Sequence, residues 1–306
     1  LPVVRPTVFF SVPRVYEKVW ERLGENHLGR RYLSLGKGAL RSLLRPLVRR
    51  GLLRNAGLDR CAQLLVGSAP ASEGLLRAYR ELGIEVHNAY GLTEAPLVTM
   101  NRLGANRLGT VGAPLPETEV RIAEDGEILV RGPQVTAGYY GEDDATPLCD
   151  GWLATGDLGR MTAEGSLEIL GRKKELIKTA YGKYVHPAKV ESRLKEIPGV
   201  AEAMLVGEGR PFCAALVWVA SGQGRPAPVD AIDRAVCGVN AGLAHPEQVR
   251  RWALLPNDLS TERGDLTANL KLKRHAVAER LREVVGALYG GRETCEPALH
   301  IGAAER

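Results

Sequence analysis

The chain predicts an α/β fold in two parts: a portion of a large domain built from βαβ units with a small β-rich subdomain, then a small α+β carboxyl-terminal domain. Three observations predict it. "CAQLLVGSAP", "SEGLLRAYREL" and "IEVHNAY" give strand, helix and strand within about thirty residues, the rhythm of a parallel sheet. From about residue 108 the texture turns to short β segments separated by Gly and acidic residues. After Pro187 helices and strands alternate again on a smaller scale. The boundaries read 1–171 and 172–290, with 291–306 expected to be a frayed, disordered tail.

The elements follow in order. "PTVFFSVP" is a short apolar strand, and "RVYEKVWERL" sets Val15, Val19 and Leu23 at helical spacing. In "GALRSLLRPLVRRGLLRNAG", Arg41, Arg45 and Arg49 recur every four residues beside Leu40, Leu43, Leu44 and Leu47. That pattern predicts an amphipathic helix strained at Pro46. "CAQLLVGSAP" is a buried strand running into a turn, and ligands of parallel sheets gather at such carboxyl ends. "TEVRIAEDGEILVRG" and "GSLEILGRKKELIKTAYGKYV" are each divided by a turn. Pro187 opens a helix that carries Val190, Leu194 and Ile197 on one face and stops at "PG". Strands "AEAMLVG" and "CAALVWVA", a helix near "VDAIDRAVCGVN", a strand "VRRWALL", a loop through residue 270 and one last helix complete the chain.

The totals fit a globular protein: 306 residues, 44% hydrophobic and 25% charged, enough for two cores. No apolar run approaches a membrane span, and "LPVVRPTVFF" has neither the basic region of a signal peptide nor an initiator methionine. The chain is therefore expected to begin partway through a longer protein. Cys61, Cys149, Cys213, Cys237 and Cys295 form no C-x-x-C pair, so no disulfide framework or zinc site is suggested and a reducing cytoplasm fits. The net charge of +5 is local: residues 1–60 hold 13 Lys/Arg against 4 Asp/Glu, leaving 28 against 32 elsewhere. Residues 30–60 read either as a solvated helix face or as a peripheral contact with an anionic membrane. With no aromatic residues among the charges, nucleic acid is not the expected partner.

Four short stretches carry candidate chemistry. In "HNAYGLTEAP", Tyr90 offers a flat face, Gly91 a close backbone, Thr93 a hydroxyl and Glu94 a hard oxygen for Mg²⁺, all on a loop after a strand. In "GWLATGDLGR", Asp157, on a loop between strands, can accept ribose hydroxyls. "GRKKELIKTAYGKYVHP" places Arg172 some fifteen residues later, where it could meet the same sugar, and "LTANLKLKR" sets Lys271 after an irregular loop. Each alone is also explained by an ordinary turn or a solvated side chain.

Taken in one order with "LLVGSAPAS", these stretches resemble the adenylate-forming acyl-CoA synthetases. "PTVFFSVPRVYEKVWERL", "GRKKELIKTAYGKYVHP" and "LTANLKLKR" are similar to the long-chain fatty acyl-CoA synthetases in particular, and the resemblance runs from Pro6 to about Tyr289. It implies an ATP-dependent ligase that joins a fatty acid to AMP and then to CoA, with Mg²⁺. It also implies that Gly67, Ser68, Ala69 and Pro70, with Asn88, Ala89, Tyr90 and Gly91, line the AMP pocket, and that Thr93 holds phosphate and Glu94 the metal. Asp157 and Arg172 would grip the ribose, Lys271 would be the catalytic cation, Lys174 the hinge of a mobile small domain, and Gly182 part of the pantetheine tunnel. The Ser/Thr/Gly-rich phosphate loop of that family is expected upstream, since "LSLGKGAL" lacks Walker spacing, so this chain alone is expected to be inactive.

Two smaller departures from the pattern stand out: Tyr181 precedes Gly182 where the family has Gly-Gly, and Ala268 and Asn269 replace Pro and Thr. A tyrosine at a position needing positive φ would strain the thioester loop. Two alternatives stay open: acyl transfer to a carrier protein, or a non-catalytic fragment that binds AMP or CoA.

Overall fold

A computed structural model describes residues 1–36, 38–140, 148–219, 229–256, 258–268 and 270–304. The chain divides into two compact units, Leu1–Ile169 and Leu170–Arg306.

The first unit begins with β1 (Val8–Ser11), α1 (Pro13–Glu25), α2 (His27–Ser34), α3 (Ala39–Ala56), β2 (Gln63–Val66), α4 (Glu73–Glu81), β3 (Val86–Leu92), β4 (Ala95–Met100) and β5 (Ala113–Pro114). These strands form one sheet in the order β1-β2-β3-β4-β5. The β1–β2 and β2–β3 pairs are parallel, as the helical crossovers between them require, and the later pairs are antiparallel. Ser72 caps α4 by accepting from the Leu75 amide, and Leu76 and Tyr79 face the core. Tyr16 and Tyr79 are buried with both hydroxyls paired, donating to the Leu65 carbonyl at 2.9 Å and the Tyr16 carbonyl at 2.8 Å. Burial pushes both phenols above their ordinary range.

Helix α3 runs through Pro46 as predicted, but it presents a different face to the core. Leu40, Leu43 and Leu47 are exposed, whereas Val48, Leu52 and Ala56 are buried and Leu44 packs against them. The i, i+4, i+8 line Leu44–Val48–Leu52 faces the apolar cluster that α3 shares with α1 and α2. Pro46 lies on the exposed side, where the carbonyl it frees can reach water.

A second sheet contains β6 (Glu119–Ile122), β7 (Glu127–Arg131), β8 (Leu148–Cys149), β9 (Trp152–Met161) and β10 (Leu167–Arg172). Its order is β10-β9-β7-β6, with β8 beside β9. The predicted β6–β7 turn closes at Gly126, whose φ of +86° suits glycine.

In the second unit β11 (Ile177–Lys178) pairs β12 (Tyr184–Val185), followed by α5 (Pro187–Leu194), β13 (Val200–Val206), β14 (Cys213–Val219), α6 (Val229–Ala241), β15 (Val249–Leu255), α7 (Arg274–Arg280), α8 (Arg282–Tyr289) and β16 (His300–Ala303). Strand β14 is buried on both faces. Ala215 and Val217 pack with Val190, Leu194, Ile232 and Val236 of α5 and α6, while Ala214, Leu216 and Trp218 pack with Val277, Leu281, Val284 and Leu288 from α7 to α8. Helices on both sides of one sheet explain why this strand reads as an unbroken apolar run.

Two expectations change here. The single last helix is two short ones, α7 and α8, broken at Leu281. The tail is ordered through its described residues, with 305–306 outside them: β16 pairs antiparallel with β15 from Arg251↔Ala303 to Leu254↔His300. Ile301 is buried, and a Cβ at Gly302 would lie 2.5 Å from the Trp252 indole nitrogen, so glycine lets the tail lie flat on that ring. Alternation in "LHIG" is the signal that four residues were too few to raise.

Candidate functional site

Strands β2 and β3 end side by side, and the turn Gly67–Pro70 leaves β2 there. Gly67 is buried, and a Cβ on it would lie 2.9 Å from the Ala89 carbonyl and 3.0 Å from the Phe10 ring. Only glycine allows that approach. Ser68 follows at φ +64°, exposed at the rim. Asn88 is the last residue of β3 paired with β2, and its carbonyl accepts from the Asn101 amide at 2.9 Å.

The Tyr-Gly-Leu-Thr-Glu stretch is only partly a loop: Tyr90, Gly91 and Leu92 lie within β3. Strand β3 continues to Leu92, exchanges its parallel partner β2 for antiparallel β4 at Ala89↔Met100, and closes a hairpin at Leu92↔Ala95. Thr93 and Glu94 are therefore the two turn residues, with Thr93 exposed. A register shift falls between Tyr90 and Leu92, and the Pro96 carbonyl would stand 2.2 Å from any Cβ on Gly91.

The Thr-Gly-Asp stretch likewise lies within a strand, β9, at an irregularity where Gly156 takes φ +70°. Thr155 donates to the Ile128 carbonyl at 2.8 Å and accepts from the Asp157 amide at 3.1 Å, while the Gly156 amide donates to Glu127 Oε1 at 2.9 Å. These bonds aim the buried carboxylate of Asp157 at β3, and the Tyr90 hydroxyl donates to its Oδ2 at 2.7 Å. The two residues stand 67 apart in sequence. Neither strand alone predicts this contact.

Glu94 is half-buried, and its Oε1 accepts from the Tyr139 hydroxyl at 2.6 Å. Among the described residues no three His, Cys, Asp or Glu side chains gather as a metal cage. A lone carboxylate suits Mg²⁺ held largely by phosphates and water, the usual pattern for that ion. Tyr139 and Glu127 carry no local sequence signal and were not expected at the site.

The other expected residues belong to the second unit or its border. Arg172 ends β10, exposed, and Lys174 lies exposed in a 3-10 turn, Lys173–Glu175. Gly182 sits in the β11–β12 turn at φ +73°, with its amide donating to the Thr179 carbonyl at 2.9 Å. Tyr181 is 75% exposed and has no positive φ, so the expected strain is absent: the left-handed position is the glycine's. Lys271 is exposed at the foot of a closed loop. Its carbonyl accepts from the Thr267 amide at 2.8 Å, its amide donates to Thr267 Oγ1 at 3.1 Å, and Leu270 takes φ +59°. Ala268 lies in this loop; Asn269 is outside the described residues.

Two family models match the chain: AMP-binding enzyme over residues 1–140 and AMP-binding enzyme C-terminal domain over residues 174–293. The chain is 35% identical to a long-chain-fatty-acid–CoA ligase, FadD15, of Mycobacterium tuberculosis, over 94% of its own length and 56% of the ligase's. It is 30% identical to the long-chain-fatty-acid–CoA ligase ACSBG2 of Gallus gallus, over 95% of its own length and 47% of that protein's. It thus spans about half the length of these relatives. Among solved structures, o-succinylbenzoate CoA synthetase of Bacillus subtilis, in complex with the acyl-adenylate OSB-AMP, is 25% identical at a TM-score of 0.66, covering 89% of this chain and 51% of that one. The A domain of a carboxylic acid reductase of Segniliparus rugosus, at 24% identity, shares the fold at a TM-score of 0.72 over 94% of this chain and 47% of that one. The chain therefore belongs to the AMP-binding enzymes, with an AMP-binding segment followed by the family's C-terminal domain.

Proposed function

We propose that this chain supplies the nucleotide site and the mobile lysine of an ATP-dependent ligase that converts a fatty acid to its acyl-AMP and then to its CoA thioester. The Tyr90–Asp157 hydrogen bond carries the reading. It holds an aromatic face and a buried carboxylate together at the carboxyl ends of β2 and β3, where a parallel sheet receives its ligand. Adenine would lie on Tyr90 against Gly67–Pro70 and Asn88–Gly91, and Asp157, with Arg172, would take the ribose hydroxyls. Thr93 would donate to phosphate. Glu94, fixed by Tyr139, would offer a hard oxygen to Mg²⁺, which when bound balances phosphate charge.

In the first step a carboxylate oxygen attacks the α-phosphorus and pyrophosphate leaves; Lys271 would stabilise the charge concentrated there. In the second step the CoA thiol attacks the acyl carbon and AMP leaves. The second unit would turn about Lys174 between the steps, withdrawing Lys271 and presenting the Gly182 turn to pantetheine. The positive φ falls on Gly182 rather than Tyr181, which supports CoA over a carrier protein as acceptor.

Helix α3, with Leu40, Leu43 and Leu47 exposed beside Arg45 and Arg49, supports peripheral contact with an anionic membrane that holds a long-chain substrate. No described helix is long and apolar enough to cross a membrane. The test is product analysis with the full-length protein, ATP, a long-chain fatty acid and CoA. The reading requires acyl-CoA and AMP in equal amounts, and ADP in place of AMP would refute it.

A further inference from the structure

The loop that bears Lys271 runs directly into Arg274, the first residue of α7, and that arginine does not face solvent freely. Its Nη2 donates to Glu191 Oε1 on α5 in a close ion pair, and its Nη1 reaches the Leu205 carbonyl of β13 at 3.4 Å. The same Glu191 oxygen accepts from the Leu205 amide at 2.6 Å. On its remaining side the Arg274 Nε stands 3.8 Å from Glu175, next to Lys174 in the 3-10 turn. Burial pushes the Glu191 carboxyl up, and Arg274 opposes that shift. The other end of the loop is held separately. The Asp265 carboxylate is buried and accepts from Arg280 Nε at 2.9 Å, while the Asp265 carbonyl accepts from the Lys273 amide at 2.8 Å.

An exposed lysine gains nothing from chemistry unless its backbone is fixed, because long side chains lose rotamer freedom with every contact they must hold. We infer that Arg274 is a positioning residue: paired with Glu191 and facing Glu175, it ties the Lys271 loop to the turn that carries Lys174, so that lysine and turn move as one body. The inference rests on the adenylation role of Lys271 proposed above. It assigns Glu191, on a helix remote in sequence from either motif, to the same device. A movement about Lys174 would then carry Lys271 to and from the nucleotide without the loop rearranging.

The test compares Arg274→Met, Glu191→Gln and the conservative Arg274→Lys in the full-length protein. Two readouts are taken: amide hydrogen exchange, and the two half-reactions measured apart, acid-dependent pyrophosphate–ATP exchange and thioester formation from supplied acyl-adenylate and CoA. In Arg274→Met and Glu191→Gln, amides of residues 266–272 should exchange roughly tenfold faster or more while those of β14 and α8 are unchanged. Pyrophosphate exchange should fall by roughly tenfold or more in kcat with little change in KM for ATP, and thioester formation should stay within about twofold. Arg274→Lys should recover part of the first half-reaction. Unchanged loop protection overturns the inference, as does an equal loss of both half-reactions with β14 and α8 loosened, which would mark Arg274 as merely structural. If the unaltered protein shows no acid-dependent exchange, the ligase reading fails, and the hydrogen-exchange arm still decides whether Arg274 ties the loop.

Discussion

Replacing Asp157 with Asn keeps shape and burial but removes the charge that Tyr90 and, on this account, the ribose hydroxyls both address. The carboxylate is buried and accepts the Tyr90 hydroxyl at 2.7 Å on Oδ2, and the proposal gives it the ribose hydroxyls as further donors. A hydrogen bond to a charged group contributes about 1.5–3 kcal/mol net, so AMP should bind Asp157→Asn about 10- to 150-fold more weakly. Tyr90→Phe keeps the flat face and loses only the hydroxyl that orients Asp157, an effect of about 0.5–1.5 kcal/mol, or roughly two- to tenfold. Because the tyrosine hydroxyl acts through the carboxylate, the double variant should bind little worse than Asp157→Asn alone. Titration calorimetry with AMP measures all four proteins, with ligand-free thermal unfolding as the control for folding. AMP affinity within about twofold of the unaltered protein in Asp157→Asn would refute the placement of the ribose.

Other consequences are as direct. Leu216→Ala, at a fully buried position of β14, should destabilise the second unit by about 2–5 kcal/mol in denaturant unfolding. Deleting residues 299–306 should cost about 1.5–3 kcal/mol from Ile301 alone and expose the edge of β15, and unchanged stability would show that β16 contributes nothing. His186 is held below its ordinary pKa of 6.5, chiefly by burial, so the unfolded chain binds the proton more readily. Its contribution is therefore complete above about pH 6.5 and is lost as the pH falls below that; His186→Gln should flatten the melting temperature between pH 6.5 and 5. Burial pushes the Cys213 thiol up to about 11, whereas Cys149 is exposed, so iodoacetamide on the native protein should label Cys149 and spare Cys213.

Much of the fold was legible because local pattern and burial agree. The βαβ run, the turn at Gly126 and the helix opened by Pro187 follow from turn chemistry and spacing that tertiary contacts leave intact. Misreadings arose where long-range pairing overrides a local cue. Gly, Thr and Asp mark loops in general, yet Gly91 and the "TGD" residues mark irregularities inside β3 and β9, where a glycine admits a close strand or a positive φ, and only Thr93 and Glu94 form a turn. The face of α3 is not legible locally because leucines lie on most of its circumference and only packing with α1 and α2 selects one line. Strand β16 is too short to announce itself without its partner. The candidate site residues rest on their order along the chain, whereas the Tyr90–Asp157 bond and the grip of Tyr139 on Glu94 depend on separations of 67 and 45 residues. Arg274 could be seen as a charge and not as a tie, since Glu191 lies 83 residues away.

The most direct test of the central claim is pyrophosphate–ATP exchange in the full-length protein, with and without a long-chain fatty acid, in the unaltered protein and in Lys271→Ala. The account predicts exchange that requires the acid and falls in the variant by a few kcal/mol of barrier, roughly a hundredfold or more, while AMP binding is retained. Exchange that ignores the acid, or survives loss of Lys271 undiminished, would contradict it.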